Sequence, residues 1–480
     1  MESSVSFLLD GEIVCIRFKS SSGVRPTTTV LNYLRSLPAH RGVKEGCAEG
    51  DCGACTVVVA ELTEGNSLRY TAVDSCLLFL PMLHGKQLIT VENLRLGSGE
   101  LHPVQSAMVE AHGSQCGFCT PGIVMSLFAL YKTVNRPSRE EIDDALTGNL
   151  CRCTGYKPII EAAVRACVHG TRDHFSSVEP ETIIRLKSCP AGPLLLDTGD
   201  QRYWRPVQLS EALTLRHLHP DAIVLSGATD IALRVTKNHE VLKEIIDVSG
   251  IQELKALREE HSEVHVGAGV HFSDVMPFLK RDFPALHAML AVFGSRQIRN
   301  LATFGGNLGT GSSIGDTLPV LVAYGARVVL ESVGSRREVP LDKFFKGYRI
   351  TERRADELIT GVIIPRVPPA IHVRSYKVSK RKDLDISTTS GGFRVELNGD
   401  NSVQAITLAY GGMAECVKRA HHTEEFLNGR RWERDVVEQA MNIVDGDFTP
   451  ISDVRATAEM RRIAARNLLL KFWSETTRQS

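Results

Sequence analysis

Short alternations of apolar and polar residues in the first part of the chain predict a small α+β unit. Two apolar runs flank Asp10-Gly11, and this pair predicts a tight hairpin because both turn residues must accept a positive φ. A helix is predicted over about Thr29–Ser36, and the β-rich run Thr56–Leu62 follows a glycine-rich stretch. The unit formed by these elements is expected to end near Val91.

From His102 onward the apolar residues recur at helical spacing, which predicts a compact bundle over residues 95–170. Proline in a first turn and a capping box, both common at helix starts, mark where the helices begin. The predicted helices are Pro103–His112, Pro121–Val134, a third from the capping box Ser138-Arg-Glu-Glu141 to Gly148, and Pro158–Val168.

The remainder of the chain is predicted to contain a linker and two further regions. Residues 171–200 are rich in Pro and Gly with weak periodicity, which indicates an interdomain linker. Beyond it, apolar strands alternate with helical stretches, as in α/β domains. The clearest of these strands are Ala222–Leu225, Glu263–Val266 and Ala326–Leu330. Strands near Gly392–Leu397 and Ala405–Tyr410, followed by helical periods to Phe472, predict a smaller α+β lobe.

Composition and charge exclude several classes of protein. The chain has 480 residues, and its 56 Lys and Arg balance 56 Asp and Glu, so the formal net charge is zero. No run of like charge suggests nucleic-acid or membrane-surface binding. No stretch approaches the roughly 20 apolar residues of a membrane span, and the N-terminus lacks a signal-peptide pattern. We therefore expect a cytoplasmic protein that acts on small molecules.

Cysteines are concentrated between Cys47 and Cys153, where eight of the twelve occur. In a reducing cytosol such clustering favours metal ligation over disulfides. The first cysteine set, Cys47-x4-Cys52-x2-Cys55 followed by Cys76, has the spacing of a plant-type [2Fe–2S] site. Nearby glycines allow a tight loop that brings backbone N–H groups toward the sulfurs. The alternative is a four-cysteine zinc site, although structural zinc ligands usually come as two separate pairs.

The second cysteine set comprises Cys116, Cys119, Cys151 and Cys153, each in a turn before a predicted helix. Helix N-termini favour anionic ligands and therefore suit a negatively charged thiolate cluster. Taken alone, this set is compatible with zinc, an iron–sulfur cluster or a redox disulfide. The other cysteines have no partner pattern and are predicted to be small buried apolar residues: Cys15, Cys167, Cys189 and Cys416.

Two loops in the second half of the chain have the small residues that a phosphate site needs. No Gly-x-Gly-x-x-Gly follows a strand and no P-loop occurs, so a Rossmann dinucleotide site is not expected. Val224–Ile231 follows a strand, and Thr303–Asn307 is rich in glycine. Exposed N–H groups in such loops can approach a pyrophosphate closely, although ordinary surface turns use the same residues.

The cysteine motifs resemble those of a known family. Glu45–Cys55, Gln115–Gly122 and Gly148–Tyr156 closely resemble the iron–sulfur domains of the molybdenum hydroxylases. The resemblance implies a β-grasp ferredoxin domain over residues 1–92 and a four-helix domain over 93–170. Each of these domains would bind one [2Fe–2S] cluster through one cysteine set.

The two flavin loops resemble loops of the same family's FAD-binding domain. The resemblance implies that the linker at 171–200 is followed by an FAD-binding domain over residues 201–370 and then by a C-terminal flavoprotein domain over 371–480. The resemblance implies that both loops cradle the pyrophosphate and ribityl chain of FAD, that Phe293 lies against the flavin ring, and that three further residues complete the pocket. The implied FAD-binding residues are Val224, Leu225, Ser226, Gly227, Ala228, Thr229, Asp230, Ile231, Phe293, Thr303, Phe304, Gly305, Gly306, Asn307, Asp316, Ile359 and Lys377.

Phe344–Arg349 and Leu408–Ala414 resemble the xanthine dehydrogenase branch of that family. The resemblance implies an electron-transfer subunit that carries electrons from hypoxanthine or xanthine oxidation at a partner's molybdenum site, through both clusters and FAD, to NAD+. The implied partner is a large molybdopterin-binding subunit, in a heterotetramer of two small and two large chains. No catalytic residue for purine hydroxylation is expected here, and Gln115 resembles a residue that faces the pterin.

Two other functions stay open from the sequence. A subunit of the same architecture could serve a dehydrogenase or oxidase of another N-heterocycle or an aldehyde, because the substrate pocket lies in the partner. A zinc-bound scaffold protein is the more distant alternative.

Overall fold

A computed structural model of the chain describes residues 2–18, 23–168 and 172–477. The chain forms two compact units. The first consists of the described residues of Met1–Ala212, Asp221–Ile251 and Ser295–Ala302, and the second of those of Leu213–Pro220, Gln252–Gly294 and Thr303–Ser480. Among the described residues, no helix is both long and apolar enough to cross a membrane.

The first unit begins with a five-stranded mixed sheet and one helix, Val30–Ser36, the β-grasp arrangement that was predicted. Asp10 and Gly11 both have a positive φ, which confirms the hairpin. The Thr29 hydroxyl accepts the Asn32 N–H at 3.2 Å, as expected for a helix cap. The strands lie in the order Glu12–Arg17, Ser4–Leu9, Gln87–Ile89, Thr56–Leu62 and Leu68–Asp74.

Four helices follow in the same unit, as the periodicity predicted, and they share one apolar core that includes Phe128 and Tyr131. The Ser138 hydroxyl accepts the Glu141 N–H at 3.2 Å, which confirms the predicted capping box. The helices are Pro103–Glu110, Thr120–Thr133, Arg139–Leu146 and Lys157–Cys167.

The stretch predicted as a linker, residues 171–200, contains regular structure instead: a helix at His174–Ser188 and a strand at Leu194–Asp197. The helix is tied to the bundle because the Asp173 carboxylate, at its N-cap, receives a 2.9 Å contact from Nε2 of the buried His102. The Pro and Gly content misled the prediction because Pro180 is accommodated inside the helix.

The last part of the first unit is a small sheet with mostly parallel pairing. Its strands lie in the order Leu194–Asp197, Arg202–Arg205, Glu244–Asp247 and Ile223–Leu225. The helices in this region of the sequence are Leu209–Leu218 and Ile231–Thr236. A one-turn helix, Arg296–Arg299, also belongs to the first unit although it is distant in sequence.

The second unit contains a five-stranded antiparallel sheet with the order Leu257–Glu259, Glu263–Gly267, Leu358–Pro365, Arg327–Ser332 and Ser335–Pro340. A two-stranded hairpin pairs Phe345–Gly347 with Ile350–Thr351. The helices of this part are Phe272–Asp282, Pro284–Ala291, Phe304–Thr310, Thr317–Ala323 and Leu341–Phe344.

The predicted C-terminal α+β lobe is present in the second unit, where an antiparallel sheet and three helices enclose a core around Phe393, Trp432 and Phe472. Its strands lie in the order His372–Val378, Thr389–Leu397, Val403–Gly411 and Lys418–Arg419. Its helices are His421–Leu427, Arg434–Asp447 and Ala458–Thr477. The predicted multidomain α+β fold is therefore confirmed.

Candidate iron–sulfur and flavin sites

The four cysteines of the first set lie near one another in the first unit. Cys55 and Cys76 are buried, and their sulfurs lie 3.4 Å apart. Cys47 and Cys52 are half-buried, and their thiols hydrogen-bond to each other. The first set therefore forms two close thiol pairs, Cys47 with Cys52 and Cys55 with Cys76. The four residues span positions 47 to 76 of the sequence.

Backbone N–H groups surround the first sulfur of this set. The sulfur of Cys47 accepts hydrogen bonds from the N–H groups of Glu49, Asp51 and Cys52, at donor–acceptor distances between 3.3 and 3.4 Å. The hydrogen bond from the Cys52 thiol and these backbone donors lower the pKa of Cys47, although partial burial opposes them. Such donors favour the thiolate, which is the form that ligates metal.

Glycine is required at two positions of this loop by close approach. A β-carbon on Gly46 would lie 2.8 Å from the sulfur of Cys52. Gly50 has a φ of +81°, and a β-carbon there would lie 2.5 Å from the side chain of Leu77. The tight loop predicted from the glycines is therefore present, and larger side chains would obstruct the convergence of the thiols.

The second cysteine set also forms two pairs, in the turns before the helices Thr120–Thr133 and Lys157–Cys167. The thiols of Cys119 and Cys151 hydrogen-bond to each other, and Cys151 is buried. Cys116 and Cys153 form the other pair, and both are exposed. The second set is therefore open to the surface on one side, whereas the first set has its Cys55 and Cys76 pair in the core.

Hydrogen bonds also favour the thiolate at one cysteine of the second set, Cys151. Burial acts to raise the pKa of Cys151, but hydrogen bonds from the Thr154 hydroxyl, at 3.3 Å, and from the backbone N–H groups of Thr154 and Cys153 outweigh it. The pKa of Cys151 is consequently lowered from its ordinary value. Gln115 is exposed beside Cys116.

The arrangement of sulfurs fits a two-iron cluster better than zinc. Tetrahedral zinc with bonds of about 2.3 Å would hold all four sulfurs about 3.8 Å apart. Among the described residues, no three thiol sulfurs all lie within 4.8 Å of one another. Two close pairs that stand apart are what two bridged irons need, because each iron takes two thiolates.

All twelve cysteines are free thiols. Outside the two sets, Cys167, Cys189 and Cys416 are buried as predicted. The prediction was wrong for Cys15, which is exposed because it lies on Glu12–Arg17, an edge strand with one uncovered face.

The first predicted flavin loop lies in the first unit. Val224 and Leu225 end a strand, Ser226–Asp230 form the turn, and Ile231 begins a helix. A β-carbon on Gly227 would lie 1.7 Å from the carbonyl oxygen of Leu301, so only glycine fits there. Ala228 and Thr229 continue the turn, and Ala228 has a positive φ of 62°, so its backbone is in the left-handed region.

The second predicted flavin loop lies in the second unit and begins a helix. The Thr303 hydroxyl accepts the Gly306 N–H at 3.1 Å, and the side chain of Asn307 accepts a 2.5 Å hydrogen bond from the Thr317 hydroxyl. The N–H of Gly305 donates to the carbonyl of Ala268 at 2.8 Å. Hydrogen bonds to Ala268 and Thr317 therefore fix the position of this loop.

The other predicted flavin residues surround the same helix in the second unit. Asp316, next to Thr317, forms a buried 2.7 Å ion pair with Lys377. The ammonium of Lys377 also donates to the carbonyl of Val292 at 2.8 Å, which places it beside Phe293. The remaining contacts come from apolar side chains: Phe293 and Phe304 each pack edge-on against Phe272, and Ile359 lies against Gly309.

Several residues around these sites were not singled out by the sequence. Ser387 donates a 2.5 Å hydrogen bond to Asp316. Asn149 and Gln297 are buried between the cysteine loops, and Lys237 contacts the carbonyl of Cys47 at 3.1 Å. Of these residues, only Asn149 could have been found from the sequence, because it stands inside the Gly148–Tyr156 motif. The others are distant in sequence from the residues that they contact.

Three regions of the chain match known sequence families. Residues 198–367 match the FAD binding domain in molybdopterin dehydrogenase, residues 90–164 match a [2Fe-2S] binding domain, and residues 374–476 match the CO dehydrogenase flavoprotein C-terminal domain. The first match includes both predicted flavin loops, and the second includes the whole second cysteine set. These matches support [2Fe–2S] and FAD as the cofactors.

Full-length similarity extends to larger proteins. The chain is 33% identical over 524 residues to the xanthine dehydrogenase of Drosophila pseudoobscura pseudoobscura, which covers 98% of this chain and 38% of that protein. It is 32% identical over 521 residues to xanthine dehydrogenase 1 of Arabidopsis thaliana, covering 93% of this chain and 38% of that protein. The chain thus spans about two-fifths of the length of these curated relatives.

Solved structures share the fold of more than half of the chain. The chain resembles carbon monoxide dehydrogenase from Hydrogenophaga pseudoflava with a TM-score of 0.54 and 25% identity, over 56% of this chain and 94% of that one. It resembles quinoline 2-oxidoreductase from Pseudomonas putida 86 with a TM-score of 0.53 and 22% identity, over 58% of this chain and 96% of that one. The second likeness extends to the fold alone.

Proposed function

Because the chain belongs to the molybdenum hydroxylase family, as an iron–sulfur and FAD-binding member, we propose that it is the electron-transfer subunit of a xanthine dehydrogenase. It carries electrons from a molybdenum site in a partner chain to NAD+. The observation that carries the proposal is the presence, in one compact unit, of two cysteine sets, each built as two close thiol pairs.

Exposure of the thiols supports an order for the two clusters. Cys116 and Cys153 are exposed, so the second set is the one that a partner chain can approach. Cys55 and Cys76 are buried. Ala48, in the loop of the first set, accepts a hydrogen bond from Thr236, which ends the helix that begins at Ile231 of the first flavin loop. The second set would therefore hold the cluster that receives electrons from the partner, and the first set would hold the cluster that passes them on to FAD.

Each part of the chain has a separate task in this proposal. When bound, the clusters exchange single electrons, and FAD converts between single electrons and the hydride of a nicotinamide. The two cysteine sets hold the clusters, with N–H donors directed at Cys47 and Cys151. The two flavin loops, with Phe293, Asp316, Ile359 and Lys377, hold FAD. No residue of this chain acts on the purine.

The identity of the substrate and the partner is supported by the relatives. Proteins named xanthine dehydrogenase match nearly the whole chain, and this chain spans only about two-fifths of their length. From the names of these relatives we propose hypoxanthine and xanthine as substrates and NAD+ as acceptor. The likeness to carbon monoxide dehydrogenase, over 94% of its matched chain, supports a large molybdopterin-binding partner, and we propose a heterotetramer of two small and two large chains. We also propose a cytoplasmic location, because a reducing compartment favours metal ligation by clustered cysteines over disulfides.

The two half-reactions test this proposal separately. The purified chain should pass electrons from NADH to an artificial dye without oxidising xanthine. The complex with its co-purifying partner should couple xanthine oxidation to NAD+ reduction. Cys116→Ser should abolish xanthine-to-NAD+ turnover while NADH-to-dye activity remains, and Cys15→Ser, another exposed cysteine, should leave both intact.

Two results would contradict the proposal. Xanthine oxidation by the chain free of partner and molybdenum would show that the purine site is not in a second chain. A complex that turns over another N-heterocycle or an aldehyde, but not xanthine, would retain the electron-transfer role and reject the substrate.

A further inference from the structure

The side chain of Asn149 lies between the two cysteine sets with all of its hydrogen-bonding capacity used. It is 2% exposed. Its Oδ1 accepts hydrogen bonds from the Ser126 hydroxyl at 2.6 Å and from the Gln297 amide at 2.9 Å. Its Nδ2 donates to the carbonyl of Gly53 at 3.1 Å and to the Thr56 hydroxyl at 3.2 Å. A primary amide has two donors and can accept two bonds, so all four are satisfied.

These bonds join loops that carry ligands of different sets. Gly53 lies between Cys52 and Cys55 of the first set, whereas Asn149 stands two residues before Cys151 of the second set. Beside the amide, the N–H of Leu150 donates to the carbonyl of Cys52 at 3.1 Å. The two ligand loops are therefore in direct hydrogen-bonded contact, with Asn149 at the junction.

The two loops approach each other too closely to tolerate extra atoms. A β-carbon on Gly53 would lie 2.1 Å from the carbonyl oxygen of Gly148, and one on Gly122 would lie 2.0 Å from the carbonyl oxygen of Gly53. Gln297, which is fully buried, donates to both Ser126 and Asn149 and so closes the junction from the third side. Small shifts of the Asn149 side chain must consequently move backbone on both sides.

We propose that Asn149 is a positioning residue that fixes the separation and orientation of the Cys52 and Cys151 loops, and thereby sets the electronic and magnetic coupling between the two clusters. The inference rests on the proposed function, because it needs a cluster at each set. The side chain of Asn149 hydrogen-bonds to none of the cysteine ligands. It positions them through the backbone of Gly53 and Leu150.

Asn149→Asp and Asn149→Ala in the full chain test the proposal. The aspartate keeps the shape of the side chain but has no N–H to donate, so it faces the Gly53 carbonyl with an oxygen; the alanine removes all four bonds. Gln201→Ala is the matched control. Gln201 is also 2% exposed, donates to the Leu242 carbonyl at 2.8 Å and accepts from Thr27 at 2.9 Å, so its bonds do not reach either set.

Three quantities are measured on each protein: iron and labile sulfide content, the melting temperature, and the magnetic splitting between the two reduced clusters in low-temperature electron paramagnetic resonance. Both Asn149 variants should retain both clusters and lose the wild-type splitting. Gln201→Ala should keep the wild-type splitting even where its melting temperature falls as far, because lost stability alone does not move the clusters.

Unchanged splitting in an Asn149 variant that retains both clusters would overturn the inference. If both Asn149 variants lose a cluster, the same measurement is made on Thr56→Val and Ser126→Ala, each of which removes one hydrogen-bond partner of the Asn149 amide. Unchanged splitting in both of these variants would likewise overturn the inference. A wild-type chain without iron would instead overturn the proposed function, so the two failures are distinguishable.

Discussion

The hydroxyl of Thr236 donates a 2.7 Å hydrogen bond to the carbonyl of Ala48, the residue after the first cysteine of the first set. The next residue, Lys237, donates to the carbonyl of Cys47 at 3.1 Å and forms a 3.2 Å ion pair with Glu49. Thr236 ends the helix that begins at Ile231, the last residue of the first flavin loop. One short helix therefore connects a flavin loop to the first cysteine loop.

This contact predicts that Lys237 influences the cluster at the first set. Reduction adds a negative charge, which a nearby cation stabilises. Lys237→Gln should lower the midpoint potential of that cluster by on the order of tens of millivolts, because Lys237 is partly exposed and screened by solvent. A redox titration followed by electron paramagnetic resonance measures it.

Lys243→Gln is the control for Lys237, since Lys243 is an exposed lysine of the same unit. It should leave the potential unchanged. Equal shifts for the two substitutions would mean that the charge acts over a distance, without the contact to Cys47.

Gly306 tests the second flavin loop. A β-carbon on Gly306 meets only the Thr303 hydroxyl, at 3.2 Å, so a larger residue is expected to fold, whereas one on Gly305 would lie 2.8 Å from the Ala268 carbonyl. Gly306→Val should therefore reduce FAD content sharply while both clusters remain, because the side chain blocks the approach of the cofactor. Absorption and flavin release on denaturation measure it.

Gly399→Val serves as the control for Gly306, because a β-carbon on Gly399 has nothing within 4 Å. It should retain stoichiometric FAD. If Gly306→Val retains as much FAD as the control, the loop does not approach the cofactor as assigned.

The buried ion pair between Asp316 and Lys377 predicts a separation of stability from cofactor binding. Asp316→Ala leaves the Lys377 ammonium buried without its carboxylate, a change that costs about 3–5 kcal/mol. The double variant Asp316→Ala with Lys377→Met removes both charges and should recover much of the lost melting temperature. Neither variant should retain FAD as the wild type does.

Both the FAD content and the melting temperature of the single and double variants are needed to interpret this comparison. Recovery of FAD together with the melting temperature in the double variant would mean that the pair supports the fold only. No change in either quantity for Asp316→Ala would contradict the burial of the pair.

Local signals in the sequence predicted most of the fold. Asp10-Gly11 and the capping box at Ser138 need only a few neighbouring residues, and both are present in the structure. The first cysteine set was recognisable for the same reason, because three of its members lie within nine consecutive residues (47–55). Turns, helix caps and closely spaced ligands depend on neighbouring residues, so they can be predicted without knowledge of the tertiary packing.

Long-range contacts were not predictable in the same way. Asn149 and Gln297 are 148 residues apart, and nothing in the periodicity of either segment indicates that they meet. The helix at His174–Ser188 was missed because its stability comes from contacts such as Asp173 with His102, 71 residues away, and its Pro and Gly neighbours carry the opposite local signal. Tertiary contacts decided both cases.

Electron paramagnetic resonance of the reduced chain tests the central claim most directly, namely that the eight cysteines form two separate [2Fe–2S] sites. The wild type should give two distinct signals, of which Cys52→Ser removes one and Cys116→Ser removes the other, while the exposed Cys15→Ser keeps both. A chain that contains zinc in place of iron, or loss of both signals from either substitution in a protein that still folds, would contradict the account.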